Sequence, residues 1–391
     1  MSLLRHPALR RILPGLLVSA LGDGMSLVAV AWLAVSIAPP AGAGVWVGLS
    51  VAAYALPATL GAALLARPMR SLRASRLVAA DAWLRALTLG AAAFLAVIGG
   101  LSPITYVVLL ALSSLLHAWG NAGAYTLIAE LLPPDQRLAG NALLSTFTQA
   151  AIVVGPALAG VLAALFGPGW VIGIDALSFA FLALSCRWIP AGPPPPPPTT
   201  GGWRAIADRP QLLGLIAVTG AFFFLYGPVE VALPVHIAQD LSGSARLLGL
   251  YWTVFGVGAT IGAVSASLLR NRPPWLVVVG IIIGWGASLL PLGLTDAILP
   301  GLVGLAVGGL IYGPFNAIAT SLFQLATPPE VLSRVLATRA ALTIPATSLG
   351  TLLGGPLVTA IGARPTLLAS ALLTIALGVA VAFAVAIRRP A

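Results

Sequence analysis

Few side chains in this sequence can do chemistry, and most of those lie inside long apolar runs. Asp23 sits between Gly22 and Gly24 in the first of these runs. A carboxyl kept from water takes up a proton more readily than one in water. Asp23 is therefore a candidate proton carrier, the alternative being a carboxylate that holds a neighbouring hydroxyl between packed helices. His117 and Asn121 are one helical turn apart in another run. Imidazole titrates near neutrality, so His117 is suited to relaying protons or binding an anionic group, or else bonds a backbone carbonyl. Glu230, two residues after Pro228, suits a second proton or attracts cationic molecules, unless it snorkels to the membrane rim.

Other polar positions call for other roles. Asp81 and Arg85 are four apart, so they face each other on a helix and can pair. With Arg67 and Arg70 just before them, they are expected to form a gating cluster near one end of their span. Asn121, Asn316, Gln149 and Arg339 are candidates to line a substrate cavity. Arg339 would either counter an anionic substrate or snorkel to the surface. Ionisable groups at bilayer depth are costly enough to be functional candidates by default.

Several chemistries have no constellation to carry them. There is no phosphate-binding loop for ATP, no paired metal-binding histidine and no nucleophile with its base. Cys186 is the lone cysteine, so neither an intramolecular disulfide nor a cysteine metal cluster can form. Gly256-Val257-Gly258 through Gly262 looks like a dinucleotide loop but has the wrong spacing, and close helix packing is the better reading. No catalytic residue, metal or cofactor is expected; a proton gradient would supply the energy.

The elements that must position these groups follow from composition. The chain has 391 residues, 59% hydrophobic and 8% charged, with a mean hydropathy of +1.03. A soluble domain carries roughly a quarter charged residues. So few charges cannot wet a water-soluble surface, and the chain belongs in a bilayer as an all-α polytopic protein. Apolar stretches long enough to span recur twelve times. They are 12–37, 45–66, 77–99, 104–129, 139–166 and 170–189, then 211–236, 246–269, 275–294, 298–325, 335–361 and 366–387. A signal-peptide reading of residues 1–22 fails because the apolar run continues to Ile37.

The net charge of +10 rests on 20 basic residues, all of them arginine. With the N-terminus inside, most of these arginines fall on the cytoplasmic side, and only Arg246 and Arg364 fall outside. They are spread over many loops, which excludes a nucleic-acid-binding patch. Both termini are thus expected in the cytoplasm.

The chain also repeats. A shift of 195 residues lays Asn121-Ala122 on Asn316-Ala317, Gly155 on Gly350 and Gly160 on Gly355. The expected organisation is a six-helix bundle over 1–189, a Pro-rich cytoplasmic linker over 190–210 and a second bundle over 211–391. Pro193 to Pro198 form a stiff spacer, or a docking site for a Pro-binding module. Parallel six-helix repeats place substrate at the bilayer midplane between the halves and move it by alternating access.

Twelve spans in two such halves resemble the major facilitator superfamily over essentially the whole chain. Five strings are similar to its drug:proton antiporter-3 branch, which includes macrolide and siderophore exporters. They are Leu21-Gly22-Asp23, Asp81-Ala82-Trp83-Leu84-Arg85, Pro133-Pro134 with Asn141-Ala142, Gly155-Pro156-Ala157-Leu158-Ala159-Gly160, and Ile174-Asp175-Ala176-Leu177-Ser178-Phe179. Gly155, Pro156 and Gly160 resemble the antiporter motif of the superfamily's exporters, although Ala151 and Ala159 stand where that motif has glycine. In the loop after the second span, Ala62, Ala66, Arg67, Arg70 and Ser71 replace the usual Gly and Asp-Arg pattern, so the customary acid is missing. Asp175, toward the outer end of the sixth span, matches the family string and is read as a structural acid.

Together these readings point to a monomeric secondary transporter in a bacterial inner membrane that exports amphipathic small molecules in exchange for protons. Its partners would be the lipid bilayer, the substrate and protons. Two rivals are a lipid or lysolipid flippase of the same fold, and a membrane scaffold that recruits a partner through the polyproline run.

Overall fold

The protein, seen as a computed structural model, is described over residues 7–189, 206, 207, 209–269, 271–327 and 329–387. The run Pro193–Pro198 and the side chain of Arg70 lie outside the described residues. Twelve helical segments among those described are long and apolar enough to cross a membrane. Helix is the form these runs take because hydrocarbon offers no partner for backbone N–H and C=O groups.

The first six spans are built from α1 (Pro7–Ile37), α2 (Ala43–Leu64), the short α3 (Ala66–Arg70), α4 (Ala74–Val97), α5 (Pro103–Ser114), α6 (His117–Leu131), α7 (Arg137–Phe166) and α8 (Pro168–Ser185). The last six use α9 (Pro210–Val235), α10 (Ala245–Val264), α11 (Pro274–Leu294), α12 (Ile298–Tyr312), α13 (Phe315–Leu325), α14 (Pro329–Ile361) and α15 (Ala363–Ile387). Proline opens α5, α8, α9 and α11, where its missing N–H costs nothing.

Two spans expected to be continuous are broken. The fourth is α5 followed by α6, with Leu115-Leu116 between them, and the tenth is α12 followed by α13, with Gly313-Pro314 between. Pro314 has no N–H to continue the ladder of α12. At the other break a Cβ on Gly61 of α2 would run into the Leu115 carbonyl, and the Trp119 indole donates to the Gly61 carbonyl at 3.0 Å. The break thus lets two backbones touch.

The chain forms two compact units. The described residues of one fall in Met1–Pro39, Ser50–Pro197 and Ser244–Gly249, and those of the other in Pro40–Leu49, Pro198–Gly243 and Leu250–Ala391. Within the first unit α1 packs on α7 and α8, and α4 packs on α8. Within the second, α9 packs on α14 and α15, and α11 packs on α15. Span for span this is one scheme used twice, as a 195-residue repeat requires.

Glycines mark the same points in each copy. A Cβ on Gly155 would overlap the backbone of Gly24, and one on Gly350 the backbone of Phe224, so α7 lies tight against α1 and α14 tight against α9. Gly167 and Gly362 take φ of +91° and +92°, left-handed values that let α7 turn into α8 and α14 into α15 within one residue. The glycines of the false dinucleotide motif are packing residues: Gly258 and Gly262 lie against the Ala306 and Leu310 carbonyls of α12.

Candidate functional site

The first unit holds a buried electrostatic network. Arg85 is the twelfth residue of the 24-residue α4, so it sits at mid-span rather than near an end as its sequence position suggested. Its side chain is 1% exposed, and its Nη1 donates to Asp23 Oδ1 of α1 at 2.6 Å. The Tyr54 hydroxyl of α2 donates to the same oxygen at 3.0 Å. The guanidinium lies 4.7 Å from the Phe179 ring centre and 5.3 Å from that of Tyr54, so aromatic faces cover its flat sides.

Asp81 is a more distant partner than its spacing suggested. Its Oδ1 stands 3.7 Å from Arg85 Nε, and neither atom has a hydrogen bond. An α-helix brings residues i and i+4 onto one face, but Arg85 extends across to α1 instead. Asp81 Oδ2 is 3.9 Å from Nδ1 of His117, which opens α6 directly after the break. A Cβ on Gly120 would collide with the Asp81 carboxyl, so that glycine is what admits the acid. Asp23, Asp81, His117, Asn121, Ser19 and Thr148 share the wall of a cavity of about 130 Å³.

Asp175 of α8 has a different setting. It is fully buried, and among the described residues no cation lies within ion-pair distance. Ser26 of α1 donates to its Oδ2, while the Ser178 hydroxyl lies 3.3 Å from its Oδ1 and 2.7 Å from its carbonyl. A Cβ on Gly22 would strike this carboxyl. Asp175 is the eighth residue of α8, nearer mid-span than the outer end. Phe179, one turn further on, is the ring beneath Arg85, so the guanidinium and this carboxyl meet the same stretch of α8.

The second unit has fewer charges and more rings. Glu230 of α9 accepts from the Thr351 hydroxyl of α14 at 3.2 Å and is half-buried, so it is held within the bundle rather than snorkelling. Tyr226, one turn earlier, lies 5.8 Å from Trp285, which joins Phe255, Tyr312, Phe315 and Phe222 in a continuous cluster of rings. Asn316 is exposed and follows the break in the tenth span directly, as the second residue of α13. Arg339 donates to Thr320 at 2.8 Å and covers the Phe323 ring at 4.9 Å, so it is tied to α13.

The remaining candidates are not gathered together. Asn121 and Gln149 are exposed, the former on the cavity wall and the latter on α7. Arg67 is exposed and makes no ion pair among the described residues. Gly155 and Pro156 are buried in α7, and Gly160 lies against Ala245, Arg246 and Gly249 of the same unit. Tyr54, Ser26 and Ser178 had no individual signal. Hydroxyls in an apolar run are common, and only tertiary contact separates these three from the rest. No group of three or more potential metal ligands occurs among the described residues.

A family model described as Major Facilitator Superfamily matches residues 12–343. The chain belongs to that family, and it is a multi-pass membrane transporter rather than an enzyme. Among relatives it is similar to the multidrug efflux pump Tap of Mycobacterium tuberculosis, 30% identical over 406 residues that cover 97% of this chain and 93% of that one. It is 28% identical over 229 residues to the enterobactin exporter EntS of Citrobacter koseri, covering 56% of this chain and 53% of that one. In fold it resembles the nucleoside transporter NupG, with a TM-score of 0.74, 14% identity, and coverage of 96% of this chain and 98% of that one.

Proposed function

We propose that this transporter exports amphipathic small molecules from a bacterial cell in exchange for protons, from the inner membrane and with both termini in the cytoplasm. One observation carries the proton-coupled reading: the buried Arg85 lies on the Phe179 ring, one turn from the buried Asp175, yet among the described residues its hydrogen-bonded acid is Asp23. A buried carboxylate without a cation is costly. While Arg85 is bound to Asp23, the proton therefore resides on Asp175, whose oxygens meet only serine hydroxyls. Losing that proton makes Asp175 a competitor for Arg85, and Asp23 is then the acid that needs a proton. Of the helices that carry these groups, α8 packs on both α1 and α4, so exchanging the partner of Arg85 alters those contacts.

Export as the direction is supported by relatives named as an efflux pump and an exporter, and by the antiporter-like Gly155, Pro156 and Gly160. Substrate contacts fall to Asn121 and Asn316, in register beside the two broken spans, because interrupted helices at matching places in two repeats point to a binding site. Glu230 with Tyr226 and the neighbouring rings favours an apolar or weakly cationic cargo. The test is dye and antibiotic efflux in cells stripped of their own pumps, with and without an uncoupler. Wild-type export should collapse to background with the uncoupler. Asp23→Asn and Asp175→Asn should each abolish uphill export at normal membrane levels of protein. Full export by both variants would overturn the coupling role.

A further inference from the structure

At one edge of the first unit, where α4 begins and α8 ends, lies a cavity of about 290 Å³ that no transport step uses. Arg73, Arg76 and Arg187 line it, all three exposed, and among the described residues none has a carboxylate within ion-pair distance. No acid lines the cavity among the described residues, and Glu130 of α6 interacts with Arg73 from outside its wall. Arg73 is also the N-cap of α4 and makes no side-chain capping bond. Arg76 and Leu77 are the first residues whose N–H groups return to the Arg73 carbonyl, which leaves those of Ala74 and Ser75 open at the start of a 24-residue helix. Open N–H groups and the helix dipole favour an anion there.

Apart from Ser75 and Cys186 the rest of the wall is apolar: Ala79 and Trp83 of α4, Ala183 of α8, and Ile189 just beyond it. Trp188 stands 66% exposed beside Arg187, the placing of an aromatic side chain at a membrane interface. A preference for arginine on one membrane face accounts for charge at helix ends. It does not account for three arginines that converge on one cavity, with no ion pair among the described residues and an apolar exit. A free phosphate would satisfy the arginines and leave that exit without a use, whereas a phospholipid fits both parts.

We propose that this cavity binds the phosphodiester of an anionic phospholipid at Arg73, Arg76 and Arg187, with its acyl chains along Ala79 and Trp83. The site is independent of proton coupling and of cargo. The test is native mass spectrometry of the full chain released from micelles holding equal amounts of phosphatidylglycerol and phosphatidylcholine. The wild type should retain phosphatidylglycerol in preference. The variant Arg73→Gln/Arg76→Gln/Arg187→Gln should lose that preference by about tenfold or more. A control with the same loss of charge, Arg10→Gln/Arg11→Gln/Arg67→Gln, should keep it.

Equal retention of the two lipids by the wild type would overturn the proposal even if the triple variant fails to fold. Equal loss in the control would reduce the effect to general charge and overturn it as well. Displacement of the lipid by millimolar inorganic phosphate would reassign the cavity to a soluble anion.

Discussion

Arg85 interacts with three acids, and the one it bonds lies 62 residues away rather than four. Asp81 shares a helix face with it, yet the bonding geometry goes to Asp23, whose side chain is 37% exposed while that of Arg85 is 1% exposed. This asymmetry makes a prediction. Asp23→Asn removes the acid that hydrogen-bonds the buried guanidinium, at a cost of about 1–3 kcal/mol for the unmet charged donor. Thermal unfolding in detergent should show a lower midpoint for Asp23→Asn, and part of the loss should return in Asp23→Asn/Arg85→Gln. A single variant as stable as wild type would mean that the pair does not hold α1 to α4.

At the scale of elements, close crossings make the bundles. Gly155 against Gly24 and Gly350 against Phe224 are the same device in the two repeats, and neither leaves room for a side chain. Gly155→Leu and Gly350→Leu should each destabilise the protein by about 1–3 kcal/mol through overpacking. Because the contacts are equivalent, the two drops in unfolding midpoint should be similar; a neutral variant at either position would show that the crossing is loose. The match of these glycines across the repeat was legible from their spacing alone. The breaks in the fourth and tenth spans were not. Leu115-Leu116 reads as uninterrupted helix, and its interruption follows from α2 backbone packed against it.

For the whole molecule, arginine distribution implies a topology that accessibility can check. In a Cys186→Ser background, a cysteine at Ser71, between the second and third spans, should be labelled by an impermeant thiol reagent only from the cytoplasm. One at Ser102, between the third and fourth, should be labelled only from outside. Native Cys186 is buried, so it should stay unlabelled before it is replaced. Labelling of both sites from one side would overturn the orientation on which proton entry from outside rests. The doubled packing scheme also explains why membership of the family was readable early. Two equal bundles leave a 195-residue period that needs no contact information to detect.

The sequence by itself determined how many apolar spans the chain has, where the copies correspond, and which ionisable groups fall inside those spans. Hydrocarbon enforces helices about twenty residues long, and a charge within one is conspicuous. Tertiary structure alone decided the pairing among those groups. Asp23 and Arg85 stand on different helices, and Ser26 and Asp175 are 149 residues apart. Helical periodicity states which residues share a face but not which helix that face meets. For that reason the sequence shows Asp175 only as a member of a family string, while its burial among serine hydroxyls, with no cation within ion-pair distance among the described residues, is visible in the fold alone.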